Sequence, residues 1–134
     1  LAKPGDVDID VSGCPDLLPP LAVMAAVRNG TTHFINAARL RIKESDRLAT
    51  TAALLNRLGS SAEDGPDSLT VRGIPSFSGG TVDGANDHRI VMAAAIAATR
   101  ADAPLTILGA EAVNKSYPSF WDDYKRLGGV FDVL

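Results

Sequence analysis

A single cysteine, Cys14, stands among 134 residues, which excludes an internal disulfide and any multi-cysteine metal site. That usage fits a reducing compartment, and a cytoplasmic protein is expected. Aromatic residues make up only 5% of the chain and the formal charge is −3. Binding to nucleic acid calls for a broad basic surface and stacking side chains, so no such partner is expected. Long apolar runs are also missing. Leu17 to Val27 and Ile90 to Ala98 fall short of the ~20 residues a spanning helix needs, and no membrane partner is expected. No charged-then-apolar leader is visible, and the chain opens on Leu1 rather than methionine, so it is read as trimmed from a longer one.

Other absences narrow the chemistry. There is no Walker loop, no Gly-x-Ser-x-Gly elbow and no His-Glu-x-x-His, and the two histidines, His33 and His88, lie far apart. Metal-assisted hydrolysis is not expected. Cys14 has no histidine near it in sequence and reads as a packing residue rather than a nucleophile. Gly79-Gly80 reads as a loop, not a phosphate cradle.

What the chain does have is a core: 46% of its residues are hydrophobic, enough for one domain of this length without staples. Asp6 to Val11 alternates with the period of a strand, placing Val7, Ile9 and Val11 on one face. Leu21 to Val27 reads as a buried helix ended by Asn29-Gly30, and Thr31 to Ala37 as a second strand. Lys43 to Leu58 sets Leu48, Ala52, Leu55 and Leu58 on one helical stripe before Gly59. Strands at Ser61 to Glu63 and Ser68 to Arg72 flank Asp64-Gly65-Pro66-Asp67, the signature of a hairpin.

After the loop from Gly73 to Gly80 the order repeats: strand Thr81 to Asp83, helix Asp87 to Arg100, strand Pro104 to Leu108, helix Ser116 to Leu127, closing strand Val130 to Val133. Sequence echoes support a repeat, since Val23-Met24-Ala25-Ala26 returns as Val91-Met92-Ala93-Ala94 and Leu58-Gly59 as Leu127-Gly128. The period near 70 residues is too long for a solenoid, so two packed β-α-β-α-β units, 1–75 and 76–134, are expected. The fold class is α/β (α+β) with mixed sheets.

The charges that matter sit where helices begin. Lys43, Glu44 and Arg47 open one, Asp87, His88 and Arg89 open another, and Lys115 precedes a third that Ser116 could cap and Pro118 could start. A cation in a first turn opposes the helix dipole by roughly 0.3–1 kcal/mol, so its repetition asks for a compensating anion. Any one cluster alone reads as a solvated face with a local ion pair, Asp16 as a cap and His88 as a structural hydrogen-bonding residue. Equivalent helix ends in repeated α/β units share an edge, however, where crevices bind ligands. Arg47, Arg89 and Lys115 could then hold one small, multiply charged anion, with Asp16 and Glu44 as the acid/base candidates.

At these residues the chain resembles the 5-enolpyruvylshikimate-3-phosphate synthase family of enolpyruvyl transferases. The resemblance rests on Arg41-Ile42-Lys43-Glu44-Ser45-Asp46-Arg47-Leu48, then Asn86-Asp87-His88-Arg89 before an alanine-rich helix, then Asn114-Lys115-Ser116-Tyr117-Pro118, and extends over nearly the whole chain. It implies a two-domain fold of repeated β-α-β-α-β-β units with substrates in the cleft between domains, of which this chain is two units of one domain. It implies that Arg47, Arg89 and Lys115 bind phosphoenolpyruvate, that Asp16 and Lys43 contact shikimate 3-phosphate, and that Asp16 and Glu44 move protons, supported by Asp87 and His88. No cofactor and no metal are implied. The partner would be the N-terminal domain of the same enzyme, without which the fragment is expected to be inactive. Arg39 stands where some members carry asparagine, and Cys14 to Pro20 is an unusually proline-rich setting for Asp16.

Two other readings compete. An enolpyruvyl transferase acting on UDP-N-acetylglucosamine shares the repeat but differs at the Lys-Glu-Ser-Asp-Arg and Asn-Asp-His-Arg stretches. A non-catalytic anion-binding module would keep the three cations but would not need Asp16 and Glu44.

Overall fold

The computed structural model describes residues 5–134. Its first half runs in the order β-α-β-α-β-β: β1 (Val7–Asp10), α1 (Leu18–Ala26), β2 (Thr31–Ile35), α2 (Arg47–Arg57), β3 (Ser61–Asp64) and β4 (Leu69–Arg72). The second half adds β5 (Gly80–Asp83), α3 (His88–Ala98), β6 (Leu105–Leu108) and α4 (Phe120–Arg126). The four strands of the first half form one sheet in the order β1-β2-β4-β3, while β5 and β6 pair alone. Strands joined through a helix are parallel, β1 with β2 and β5 with β6, and the β3–β4 hairpin is antiparallel. The class is mixed α/β, as the strand and helix periods indicate.

Helices α1 and α3 meet in the centre because their sequences are apolar on nearly every face. In α1, Leu18, Ala22, Val23, Ala25 and Ala26 are all buried, and Pro19 and Pro20 sit in the first turn, where a missing N–H costs nothing. In α3, the run Ala93, Ala94, Ala95 and Ala97 lets the neighbouring backbone approach closely, and α1, α2 and α3 share one apolar core with Phe34, Leu69 and Phe77. Among the described residues no helix is long and apolar enough to cross a membrane.

Three expectations are corrected. First, the helix expected from Lys43 begins at Arg47, because Asp46 caps it by accepting from the Ala49 amide at 3.2 Å. The preceding backbone is extended at Lys43, so Lys43 and Arg47 do not share a helical face. Second, Ser116 does not cap α4: residues Ala110–Lys115 wind as a tight 3-10 turn that Ser116 closes, and α4 starts only at Phe120, whose ring is buried against Trp121 and Tyr124. Third, Val130 to Val133 forms no strand. A strand needs a partner for its backbone groups, and Val130 and Val133 instead lie 91% and 90% exposed.

The start of α2 is fixed from outside the helix as well. Arg41 spans the Asp46 carboxylate with distances of 2.9 and 3.1 Å, reaches Asp64 at 2.9 Å and donates to the Gly65 carbonyl, tying the helix cap to the β3–β4 turn. Asp46→Ala removes the cap and one of the two carboxylates that hold Arg41. A loss of about 1–2 kcal/mol in chemical denaturation is expected, with the urea dependence unchanged.

Candidate functional site

The chain enters α3 through an uncommon turn. Ala85 and Asn86 both adopt left-handed backbone, φ 55° and 51°, a conformation that costs a non-glycine residue such as Ala85 about 1–3 kcal/mol. Gly84 precedes them, and a Cβ there would sit 2.6 Å from Val91 and 2.8 Å from the Leu108 carbonyl. The turn delivers Asp87 to the helix cap, where Oδ1 accepts from the Arg89 amide at 3.0 Å. It also presents the Asn86 carbonyl to Lys115 Nζ, which ties the end of the 3-10 turn to the start of α3.

Arg47 is the centre of the arrangement. At 1% exposure its guanidinium meets three carboxylates: Nε and one terminal nitrogen grip Asp87 at 2.9 and 3.1 Å, Glu44 lies at 2.6 Å and Asp16 at 2.9 Å. Burial disfavours the charged guanidinium, but Asp87, Glu44 and Asp16 outweigh it and raise its pKa. Burial likewise pushes Asp87 up, yet Arg47, Ser45 and the Arg89 amide hold its carboxyl below the usual range. For Asp16, burial is opposed by Lys43, Arg89 and Arg47, and the net effect is again a lowered value.

Around this pair lies a cleft of about 240 Å³ lined by Asp16, Lys43, Glu44, Arg47, His88, Arg89 and Ser116. Four of the residues singled out in the first half of the sequence and two from the second therefore face one space. Lys115 does not line it, but Ser116 beside it does. A larger cleft of about 390 Å³ between α2 and β5 gathers only Arg57 and Asp83 as charged groups, a poor match for a multiply charged anion.

The cations in the small cleft are unequally engaged. Arg47 is saturated by the protein's own carboxylates, and Lys43 lies 3.6 Å from Asp16. Arg89 has a single ion pair among the described residues, to Asp16 at a long 3.8 Å, and its buried Nε has no partner. His88 Nδ1 is likewise buried and unpartnered. The compensating charge that cationic helix starts require is thus close and internal for Arg47 and reduced to one distant carboxylate for Arg89.

Sequence reasoning missed the Asp87–Arg47 pair and the part of Ser45, which donates to Asp87. Asp87 signals itself as a cap, but nothing in the chain's periodicity announces that both its oxygens also accept from an arginine 40 residues earlier.

Asp87 contributes stability through its lowered native pKa. The contribution is full above the ordinary carboxyl value of 3.8 and is lost as pH falls through the depressed native value. Asp87→Asn is expected to cost about 3 kcal/mol at neutral pH, because a buried guanidinium loses the one anion that is itself fully buried and grips it at two points. Below the ordinary carboxyl range the two proteins should converge, as a denaturation series against pH would register.

The EPSP synthase (3-phosphoshikimate 1-carboxyvinyltransferase) family profile matches residues 3–124. A 3-phosphoshikimate 1-carboxyvinyltransferase of Clostridium kluyveri is 51% identical over 131 residues, covering 98% of this chain and 31% of that protein. The Clostridium acetobutylicum protein of the same name is 54% identical over 121 residues, covering 90% of this chain and 28% of its own length. An EPSP synthase structure from Acinetobacter baumannii superimposes with a TM-score of 0.84 at 35% identity, over 90% of this chain and 28% of that one. The chain thus spans about three-tenths of the length of the curated relatives it matches. With a profile match over most of its length, this chain belongs to the EPSP synthase family.

Proposed function

We propose that the chain supplies one wall of the cleft in which an enolpyruvyl transferase moves the enolpyruvyl group of phosphoenolpyruvate to the 5-hydroxyl of shikimate 3-phosphate, releasing phosphate. The two halves, 1–75 and 76–134, are read as two repeat units of one domain. The partner forming the opposite wall is the N-terminal domain of the same enzyme, and the setting is the cytoplasm. Family membership supports the reaction class. The observation that carries the site is Arg89, whose guanidinium borders the cleft with its Nε unpartnered and a single long ion pair.

In this reading Arg89 and Lys115 hold phosphoenolpyruvate, and Arg47 joins them when one of its two exposed carboxylate partners, Asp16 or Glu44, exchanges place with the substrate. Lys43 and Asp16 contact shikimate 3-phosphate. The reaction is addition followed by elimination: C3 of phosphoenolpyruvate gains a proton, the 5-hydroxyl attacks C2 and gives up its proton, and the tetrahedral intermediate loses phosphate from C2 and a proton from C3 as the double bond returns. Asp16 and Glu44, both at the cleft and both within reach of Arg47, are the groups placed to move these protons. Lysine and arginine stabilise the charge gathering on the departing phosphate. The scheme needs no cofactor.

Phosphoenolpyruvate titrated into the chain and followed by amide NMR is expected to give weak saturable shifts at Arg47, Arg89 and Lys115. Arg89→Ala should weaken that binding roughly tenfold to a hundredfold, and absence of any shift at millimolar ligand with the opposite domain added back would overturn the assignment. Glu44→Gln has a split expectation. It removes a competitor for Arg47, so phosphoenolpyruvate should bind more tightly, while turnover in the full-length protein carrying this sequence falls by roughly a hundredfold or more.

A further inference from the structure

Ser45 does not line the cleft, yet it touches the groups that do. It sits in the bend between Lys43 and α2, two residues before Arg47, with Oγ 2.8 Å from Asp87 Oδ2 and 3.0 Å from Thr50 Oγ1. A hydroxyl has one proton to give, and an ionised carboxylate can only accept, so the Ser45 proton points at Asp87. Thr50 completes the chain, with its hydroxyl also 3.0 Å from the Asp46 carbonyl within the first turn of α2.

The consequence lies in how Asp87 is divided. Oδ2 receives Ser45 and Arg47 Nε, the latter at 2.9 Å, and Oδ1 receives the other Arg47 nitrogen and the Arg89 amide at 3.1 and 3.0 Å. Three of these donors belong to residues 45–47 and one to α3, so the orientation of this single carboxylate sets the placement of Arg47 relative to Arg89. Asp16 and Glu44 are about half exposed at 47% and 44% and can be drawn away by an anion, whereas Asp87 is 0% exposed and cannot. Once an anion has displaced either of them, Asp87 is the fixed reference for the guanidinium. Ser45 is the one uncharged side-chain donor holding that reference among the described residues, and being neutral it has no attraction of its own to the anion.

We propose that Ser45 is a positioning residue of this cleft: by donating to Asp87 Oδ2 it holds the Asp87–Arg47 pair in the orientation from which Arg47 and Arg89 engage one anionic substrate. The identity of that substrate rests on the phosphoenolpyruvate reading above. The role of Ser45 is distinct from a plain contribution to folding, because its loss acts on substrate affinity through Arg47 and not only on stability.

The test compares Ser45→Ala, Ser45→Thr and Ser45→Cys in the full-length protein carrying this sequence. Two quantities are followed: hydrogen exchange at Arg47 Nε by heteronuclear NMR, and KM for phosphoenolpyruvate against kcat and Tm. For Ser45→Ala, faster exchange at Arg47 Nε and a KM raised about tenfold are expected, and threonine, which keeps the hydroxyl, restores both. Cysteine, a weak donor, should fall between, and it decides the matter if the alanine variant does not fold. Unchanged exchange and KM in the alanine or cysteine variant, or a lowered Tm with KM untouched, would overturn the proposal. Absence of enolpyruvyl transfer in the unaltered protein would instead overturn the functional reading, and the exchange rate at Arg47 Nε would then decide Ser45 alone.

Discussion

A guanidinium that is 1% exposed has to be neutralised, and three segments of this chain converge to do it. Asp16 comes from the turn before α1, Glu44 from the bend before α2, and Asp87 from the cap of α3. Leaving a buried charge with a partner missing costs several kcal/mol, so the requirement to pair Arg47 locks these three segments into one arrangement. Apolar packing of α1, α2 and α3 brings their ends together, but such packing is non-directional and would tolerate small slides. The directional bonds at Arg47 select one placement. The cleft is the solvent-facing side of that selection.

The same pairing shapes what the cleft can do. Lys43, Arg47 and Arg89 face Asp16 and Glu44 across it, with Asp87 behind, so the site is nearly balanced in charge before any ligand arrives. A near-balanced site does not act as a deep electrostatic well. On the proposed reading it would bind an anion by exchanging internal carboxylates for substrate oxygens, leaving the displaced carboxylates free to carry protons. Arg89 is the exception, with its unpartnered Nε and strained approach turn, and strain of this kind persists only where surrounding structure enforces it.

Elements whose signal is local were legible in the residues. The stripe of Leu48, Ala52, Leu55 and Leu58 gave the body of α2, the Asp64 to Asp67 cluster gave the hairpin turn, and the alanine run gave α3. Errors fell where local preference met a tertiary demand. Lys43 to Ser45 have no helix-breaking residue, but Asp16 and Asp87 draw their side chains outward while Asp46 takes the cap. Val130 to Val133 has the composition of a strand and pairs with none of the six strands among the described residues.

By itself the sequence determined which residues carry charge at the helix starts, the alternation of strands and helices, and the family to which the chain belongs, because motif identity and hydrophobic period are properties of neighbours along the chain. Only the tertiary structure decided which of those charges are spent inside the protein. Arg47 and Arg89 look alike in sequence, each beside an aspartate cap at the start of an apolar helix. Contacts across 31 and 40 residues to Asp16 and Asp87 saturate the first, while the second keeps a buried, unpartnered nitrogen. Pairing of that range depends on where packing brings three helix ends together, and no spacing along one helix encodes it.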